Sequence, residues 1–504
     1  MGLEIINKIV RTYFFLNEKN IDYMMNNPID CQQVLLNDLL KKNRKTEWGT
    51  QYDYASIKNQ ETFKLRVPVS DYQSLYPFIE RMILGEKNVL WHGAIKWFSK
   101  SSGTSGSKSK FIPVSHESLI NGNYKSGRDS FTLYLNNRPD SKLFTGKYFS
   151  LTGSLHHFET NTQAYCGDIS AILTNFTPFW ANYFKTPPKH IAFMKNWDEK
   201  IDAFAQCMKK QNITAMAGVP SWILIILKRI LELEQVETID KIWTHLELFM
   251  HGGVNFMPYI KQYKSLISSE KMYYQEIYNA SEGYFAAQDQ SDSKDMLLFL
   301  NNGIFYEFIP FQEFGKENPS ALSIEDVKLN EKYVMLITTN AGLWRYVIGD
   351  VVQFTSIHPY RIRIIGRTTH FINAFGEELM VDNAEKAIKS ACEKTAAEFE
   401  EYTVAPIYLQ SDTKAAHQWL IEFKQKPNNF GMFIDVLDKE LMRLNSDYEA
   451  KRFQDILLQK PVIQEISDGT FIKWMASRGK LGGQFKVPRL SNDRKIVEEI
   501  LKIK

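Results

Sequence analysis

Cysteine is scarce in this chain: four residues in 504, Cys31, Cys166, Cys207 and Cys392, scattered far apart. Their spacing matches neither a zinc-ligand pattern nor a disulfide framework, so free thiols in a reducing cytoplasm are expected, each as a small core residue. Net charge is nearly absent too. Lys and Arg number 61 against 58 Asp and Glu, leaving +3, and the two signs are interspersed, which argues against the basic stripe of a nucleic-acid binder. Long apolar runs are also missing. The longest, residues 222–227, is far below the roughly 20 residues that a bilayer-crossing helix needs. At the amino terminus, MGLEIINKIVRTYFFLNEKN shows no cleavage site, is interrupted by Lys8 and Arg11, and has Ile6 where a myristoylation signal requires Ser or Thr. It reads as an amphipathic helix. No internal repeat is found.

What the chain does have is core material: 44% hydrophobic and 13% aromatic residues, enough for two or three cores. Residues 1–60 carry helical apolar spacing, with Ile5, Ile9 and Tyr13 on one face and Val34, Leu35 and Leu39 on another. Helices are expected at 78–84, at 116–135 behind a Ser115 cap, at 197–208, and at 221–233 capped by Ser221. His156 and His157 are adjacent and point in different directions on any regular element, so at most one lines a pocket. Strand-like runs at 213–217, 246–250, 272–278, 297–300, 304–309, 333–339, 351–355 and 361–365 alternate with Gly-rich turns and helices. That alternation implies α/β organisation with a substantially parallel sheet. Beyond residues 366–370 the texture becomes a compact α+β unit, with helices at 382–398 and 429–457 and strands at 402–409, 418–423, 462–466 and 471–474. A large domain over 1–367 and a small one over 368–504 are therefore expected.

The stretch 99–113, SKSSGTSGSKSKFIP, holds six serines, one threonine, two glycines and three lysines. It is too polar for a buried strand and too poor in helix formers for a helix, so it reads as a loop. Small hydroxyl residues and glycines can turn successive backbone N–H groups toward one point, and lysines supply the charge to hold phosphate there. The other reading is a solvated linker. Its position, inside the first third of the chain between strand-like segments, disfavours that. It is not a Walker loop either, because Lys108 follows Gly103 and Phe111 follows Gly106 where the second glycine belongs.

Three more polar motifs fall at strand ends: YNASEG at 278–283, GLWRYVIGD at 342–350 and the Gly366-Arg367 junction. Ligands bind outside the carboxyl ends of parallel strands, so the four could share one site. Taken singly, Glu282 and Asp350 are ordinary turn residues. With a phosphate loop they make chemical sense, one carboxylate for Mg²⁺ and one for ribose hydroxyls.

Together with a terminal GQFKVPR at 483–489, these motifs resemble those of the adenylate-forming enzymes, the superfamily of acyl-CoA synthetases and luciferase. More narrowly they resemble the Gretchen-Hagen-type acyl acid amido synthetases, known from auxin-responsive plant proteins and with bacterial relatives; the chain looks like a bacterial-type member. The resemblance implies a large α/β N-terminal domain with mixed or parallel sheets and a small mobile α+β C-terminal domain, hinged at about 366–370. It implies that Ser101, Ser102, Gly103, Thr104 and Ser105 hold the ATP phosphates, with Lys110 assisting. Tyr278, Asn279 and Ala280 would lie along the adenine, Glu282 would bind Mg²⁺, and Asp350 would take the ribose with Arg367 close by. Lys486 would enter from the small domain to meet the carboxylate or α-phosphate. His370 and Asn373 depart from the wider superfamily, where an acid and a lysine are common.

The activity so implied is ATP-dependent adenylation of a carboxylic acid, followed by transfer of the acyl group to an amino acid. A coenzyme A or carrier-protein thiol is the alternative acceptor. Ser105 to Lys108 also matches S-x-x-K, the nucleophile and base of an acyl-serine hydrolase, but no K-T-G or S-D-N partner motif occurs. A non-catalytic nucleotide sensor has no chemical need for Glu282, Asp350 and Lys486 together. For the acid, Tyr124, Arg128 and Phe131, with the aromatic segment 148–158, are the expected pocket. The partners are small molecules, with no nucleic acid or membrane, in the cytoplasm.

Overall fold

The computed structural model describes residues 2–102, 109–254, 256, 259–291, 293–316, 319–368, 371–372, 375, 377, 379–408, 415–452, 458–478 and 487–503. The chain starts with two helices, Gly2–Asn26 and Pro28–Asn43, the second opening on a proline whose fixed φ suits a first helical turn. The first helix presents an unexpected face. Ile5, Ile9 and Tyr13 are exposed, while Asn7, Asn17, Ile21 and Met24 are buried; Asn17 Nδ2 donates to Asp129 Oδ1 at 2.8 Å. A satisfied amide buries as well as a hydrocarbon does, and apolar spacing alone cannot register that.

Among the described residues the main sheet has eleven strands, in the order 304–310, 332–339, 346–357, 360–367, 296–298, 283–288, 273–280, 248–251, 213–218, 147–150 and 185–186. The sheet is divided. From Tyr273–Ala280 to Lys185–Thr186 every neighbour is parallel, and from the same Tyr273–Ala280 strand to Ile304–Pro310 every neighbour is antiparallel. The expected substantially parallel sheet is thus only half of the structure. Connections decide it: Ser281-Glu282 and His358-Pro359 are two-residue links, which can join only antiparallel strands, whereas the parallel half is joined through helices such as Trp197–Met208 and Pro220–Glu234.

Three further expectations change. Parts of the stretch 99–113 are strand: Trp97–Ser102 and Ser109–Val114 pair antiparallel from Trp97–Val114 to Ser102–Ser109, while 103–108, the centre of the expected loop, lie outside the described residues. A backbone ladder overrides the low strand propensity of serine and lysine. The helix expected to be capped by Ser221 begins one residue earlier at Pro220, with Val219 at the cap position. Residues 471–474, expected as a strand, lie in the helix Thr470–Ser477, whose Phe471 and Trp474 are buried three residues apart on one face. The C-terminal part holds a three-stranded sheet, Glu398–Ile407, Ala416–Gln425 and Val462–Ile466, against helices Val381–Thr395 and Phe430–Leu444. All four cysteines are free. No described helix is long and apolar enough to cross a membrane.

Candidate active site

At the carboxyl edge of the parallel half the chain leaves the sheet at Leu151, Val219, Gly252 and Ser281, and all four line one cleft of about 1110 Å³. This is where a parallel sheet offers backbone groups without strand partners. Glycine keeps the edge tight. A Cβ on Gly252 would sit 2.4 Å from the carbonyl oxygen of Ile277 on the neighbouring strand, and Gly253 turns the chain away with φ +82°.

The YNASEG motif is the end of one strand and the turn that follows it. Tyr278, Asn279 and Ala280 close the strand, Ala280 pairs with Gly283, and Ser281-Glu282 make the two-residue turn. Ser281 Oγ donates to the carbonyl of Lys100 at 3.4 Å, which ties this turn to the serine-rich hairpin. Asp350 arrives from the antiparallel half, directly opposite Arg367 on the adjoining strand. Its carboxylate accepts from Arg367 Nε at 2.6 Å through one oxygen and from the Tyr278 hydroxyl at 2.5 Å through the other. Burial, and then the Asp350 charge, push the Tyr278 phenol well above its usual range, so it stays a donor.

Seven of the sequence-selected residues therefore line this cleft: Ser101, Tyr278, Asn279, Ala280, Glu282, Asp350 and Arg367. Gly103, Thr104, Ser105, His370, Asn373 and Lys486 lie outside the described residues. For Ser102 only the backbone is described, as the last residue of its strand. Lys110 does not line the cleft; its ammonium lies 5.7 Å from the ring centroid of Tyr72. Tyr124, Arg128 and Phe131, expected to line an acid pocket, do not line this cleft. Tyr124 donates to the carbonyl of Leu173 at 2.8 Å, Arg128 reaches Tyr13 and Asp129, and Phe131 packs against Phe14 and Tyr148. Arg128 and Phe131 thus meet the first helix, whereas Tyr124 packs with Val114, Leu119 and Ile172. Of the two histidines, His156 lines the cleft while His157 Nδ1 contacts the Thr162 carbonyl at 2.6 Å.

The arginine of GLWRYVIGD serves the fold. Arg345 is buried, pairs with Glu307 through Nε at 2.9 Å, and donates to the carbonyls of Lys64 and Val67.

The sequence matches the GH3 family N-terminal domain over residues 17–272, the central domain over 297–367 and the C-terminal domain over 382–495. The chain belongs to the GH3 family. It is similar to indole-3-acetic acid-amido synthetase GH3.3 of Arabidopsis thaliana, 24% identical over 574 residues that cover 97% of this chain and 93% of the relative. Among solved structures it shares its fold with AtGH3.15 acyl acid amido synthetase in complex with 2,4-DB, at a TM-score of 0.62 and 17% identity over 98% of this chain and 96% of that one. It is also similar to 2-hydroxyisobutyryl-CoA ligase in complex with 2-HIB-AMP and CoA, at a TM-score of 0.55 and 11% identity over 93% and 90%.

Some cleft residues of this GH3 protein escape the sequence reading. His251 ends a parallel strand; its ring stacks on Phe256 at 4.0 Å, its Nδ1 has no hydrogen-bond partner, and burial lowers it to about 3, so it is neutral. Glu276 stands in register with His251 on the next strand, its carboxyl raised by burial. Lys200 is 2% exposed. A signal for Lys200 was available: it sits three residues after Trp197 and four before Phe204, on the apolar stripe of its helix, where a lysine is out of place.

Proposed function

We propose that this GH3 protein adenylates a carboxylic acid with ATP and then transfers the acyl group to the amine of an amino acid, as a member of the adenylate-forming superfamily. One observation carries the reading: Ser101, the Tyr278–Ala280 strand end, Glu282 and the Asp350–Arg367 pair, which are far apart in sequence, line one cleft at the carboxyl ends of parallel strands. Family membership and the likeness to an amido synthetase and an acyl-CoA ligase support it.

In the first half-reaction the acid's carboxylate attacks the α-phosphorus of ATP and pyrophosphate leaves. Two anions meet, so the site must offset charge. Ser101 and its hairpin supply donors to the phosphates, while Asp350, oriented by Tyr278 and Arg367, retains lone pairs for ribose hydroxyls. Glu282 supplies a hard oxygen on a half-buried turn at the cleft, which fits Mg²⁺, an ion that takes one or two carboxylates and completes its shell with phosphate and water. No described cluster of three acids, histidines or cysteines would hold a metal without substrate. Bound there, Mg²⁺ would neutralise charge on the phosphates. In the second half-reaction the amine attacks the acyl carbonyl and expels AMP.

Both parts of the chain wall the cleft, since Tyr408, Asp447, Lys451 and Asn492 line it from the C-terminal side. That supports a small domain over 368–504 turning about 366–370 to deliver Lys486 to the α-phosphate. The acid is assigned to the apolar sector formed by Val219, Trp222, Val254, Phe256 and Ile260, a better enclosure for a ring than the segment around Tyr124. ATP and Mg²⁺ are the cofactors and the setting is the cytoplasm.

Pyrophosphate exchange across a panel of carboxylic acids tests the first half, and product masses with amino acids or coenzyme A test the second. Acid-dependent exchange and an amide product are expected. A thioester product would move the protein to the acyl-CoA ligases, and absence of exchange with every acid would end the adenylation reading. Full exchange in Lys486→Ala would remove that residue from the chemistry.

A further inference from the structure

The apolar sector assigned to the acid meets two polar side chains on the sheet beside it. His251 and Glu276 are register partners on adjacent parallel strands, so their side chains stand on one face of the sheet. Both residues line the cleft. His251 belongs to the sector by contact: its ring stacks on Phe256, a wall of that sector, with centroids 4.0 Å apart. Its Nδ1 is enclosed and has no hydrogen-bond partner, so the nitrogen that can meet a ligand is Nε2. Glu276 is half-buried. Burial raises its carboxyl, opposed by Lys294, which is itself exposed. Gln288, whose Oε1 accepts from the Glu276 amide at 3.1 Å, spends its Nε2 on the carbonyl of Gln290 at 3.2 Å.

Packing alone asks for neither group. The preceding register pair on the same face is Phe249 with Tyr274, and apolar side chains would continue it without burying a polar atom. A polar nitrogen buried without a partner costs about 1–3 kcal/mol, and burial disfavours a carboxylate. An acid with a hydrocarbon body, laid against Phe256, would exclude water from both groups and add to that cost. A hydroxyl on the same body answers both: its proton goes to the Glu276 carboxylate, and its oxygen accepts from His251 Nε2–H. His251 carries its proton on Nε2 in this arrangement, because an enclosed lone pair at Nδ1 is tolerated better than an enclosed N–H donor. A second carboxylate is disfavoured, since it would face Glu276.

We propose that His251 and Glu276 form a hydroxyl-binding subsite of the acid pocket, so that the acid activated by this protein carries a hydroxyl group distant from its reacting carboxylate. The proposal rests on the adenylation reading above and names the class of acid. A site that hydrogen-bonds a substrate hydroxyl rejects the analogue lacking it far more strongly than an apolar pocket rejects a missing methylene, because its own polar groups are then left unpaired. The nucleotide base is the competing ligand, since Tyr278–Ala280 follow Glu276 on the same strand.

Acid-dependent pyrophosphate exchange by the full-length protein tests this with matched pairs: phenylacetate against its ring-hydroxylated forms, cyclohexanecarboxylate against its ring-hydroxylated forms, and hexanoate against its ω-hydroxy form. In at least one pair the wild type should favour the hydroxylated member by about tenfold or more in kcat/KM. Glu276→Leu and His251→Phe should each bring that ratio close to unity, while Glu276→Gln, which still accepts a hydrogen bond, should keep most of it. Variants that lose equally on both members of a pair overturn the subsite, and so does a raised KM for ATP with the ratio intact. A wild type without preference in every pair overturns it with no variant needed. If no acid supports exchange, the adenylation reading fails instead. Calorimetric titration of the same pairs then decides the subsite: tighter binding of the hydroxylated member by wild type, lost in Glu276→Leu, upholds it, and equal binding overturns it.

Discussion

The Tyr278 hydroxyl donates to Asp350 across 72 residues of sequence, at 2.5 Å, from the last turn of one strand to the middle of another. It links the two halves of the divided sheet at the site where a ribose is proposed to bind. Removing the hydroxyl in Tyr278→Phe should leave Asp350 held by Arg367 alone and raise the KM for ATP about tenfold, roughly 1.4 kcal/mol, with kcat little changed. An unchanged KM in a folded variant would mean that Asp350 does not touch the nucleotide.

Glu282 lines the cleft from a two-residue turn, so an isosteric change should be tolerated by the fold. Glu282→Gln should lower pyrophosphate exchange by about 10²-fold and raise the Mg²⁺ concentration needed for half-maximal rate. A Mg²⁺ dependence superimposable on wild type would reassign this carboxylate to a structural role.

Arg345 and Glu307 are 6% and 1% exposed. Arg345→Met strands a buried carboxylate and should cost about 3–5 kcal/mol of stability, whereas the double change Arg345→Met with Glu307→Leu should recover much of it. Denaturant midpoints check this. If the single variant unfolds at the wild-type midpoint, the pair is not what holds this part of the sheet to residues 64–67.

Gly252→Ala places a methyl against the Ile277 carbonyl. Neither backbone can yield without parting the two strand ends, so the variant should lose stability by about 1–3 kcal/mol and lose acid-dependent exchange more steeply than Tyr278→Phe. Wild-type exchange from this variant would show that the strand edge does not position the site.

Much of this was legible from the chain because local physics decides it. Helices such as Trp197–Met208 and strands such as Val462–Ile466 follow from apolar period, and Tyr278–Ala280 at the end of its strand is marked by polarity where the period stops, whereas Asp350, expected at a strand end, lies inside the strand Tyr346–Ile357. Other features had no local signature. Residues 99–102 and 109–113 of the serine-rich stretch are strand because they pair with each other, although their composition argues for a loop. Phe471 and Trp474 suit either period, and packing chose the helix. Tyr124, Arg128 and Phe131 are half-buried and contact Leu173, Tyr13 and Phe14 away from the cleft; aromatic residues line pockets and cores alike, and which they do here depends on elements distant in sequence.

By itself the sequence determined the family, the alternation of helix and strand, and which polar motifs require a chemical explanation. Tertiary structure alone decided that seven of those residues line one cleft, that the sheet is parallel only on the side where the strands end together, and that Arg345 of the same motif as Asp350 is spent on Glu307. The physical reason is contact order. A residue's neighbours along the chain set its period and its turn, but Tyr278 meets Asp350, and Lys200 meets Thr152, only after strands far apart in sequence have paired and closed around the space between them.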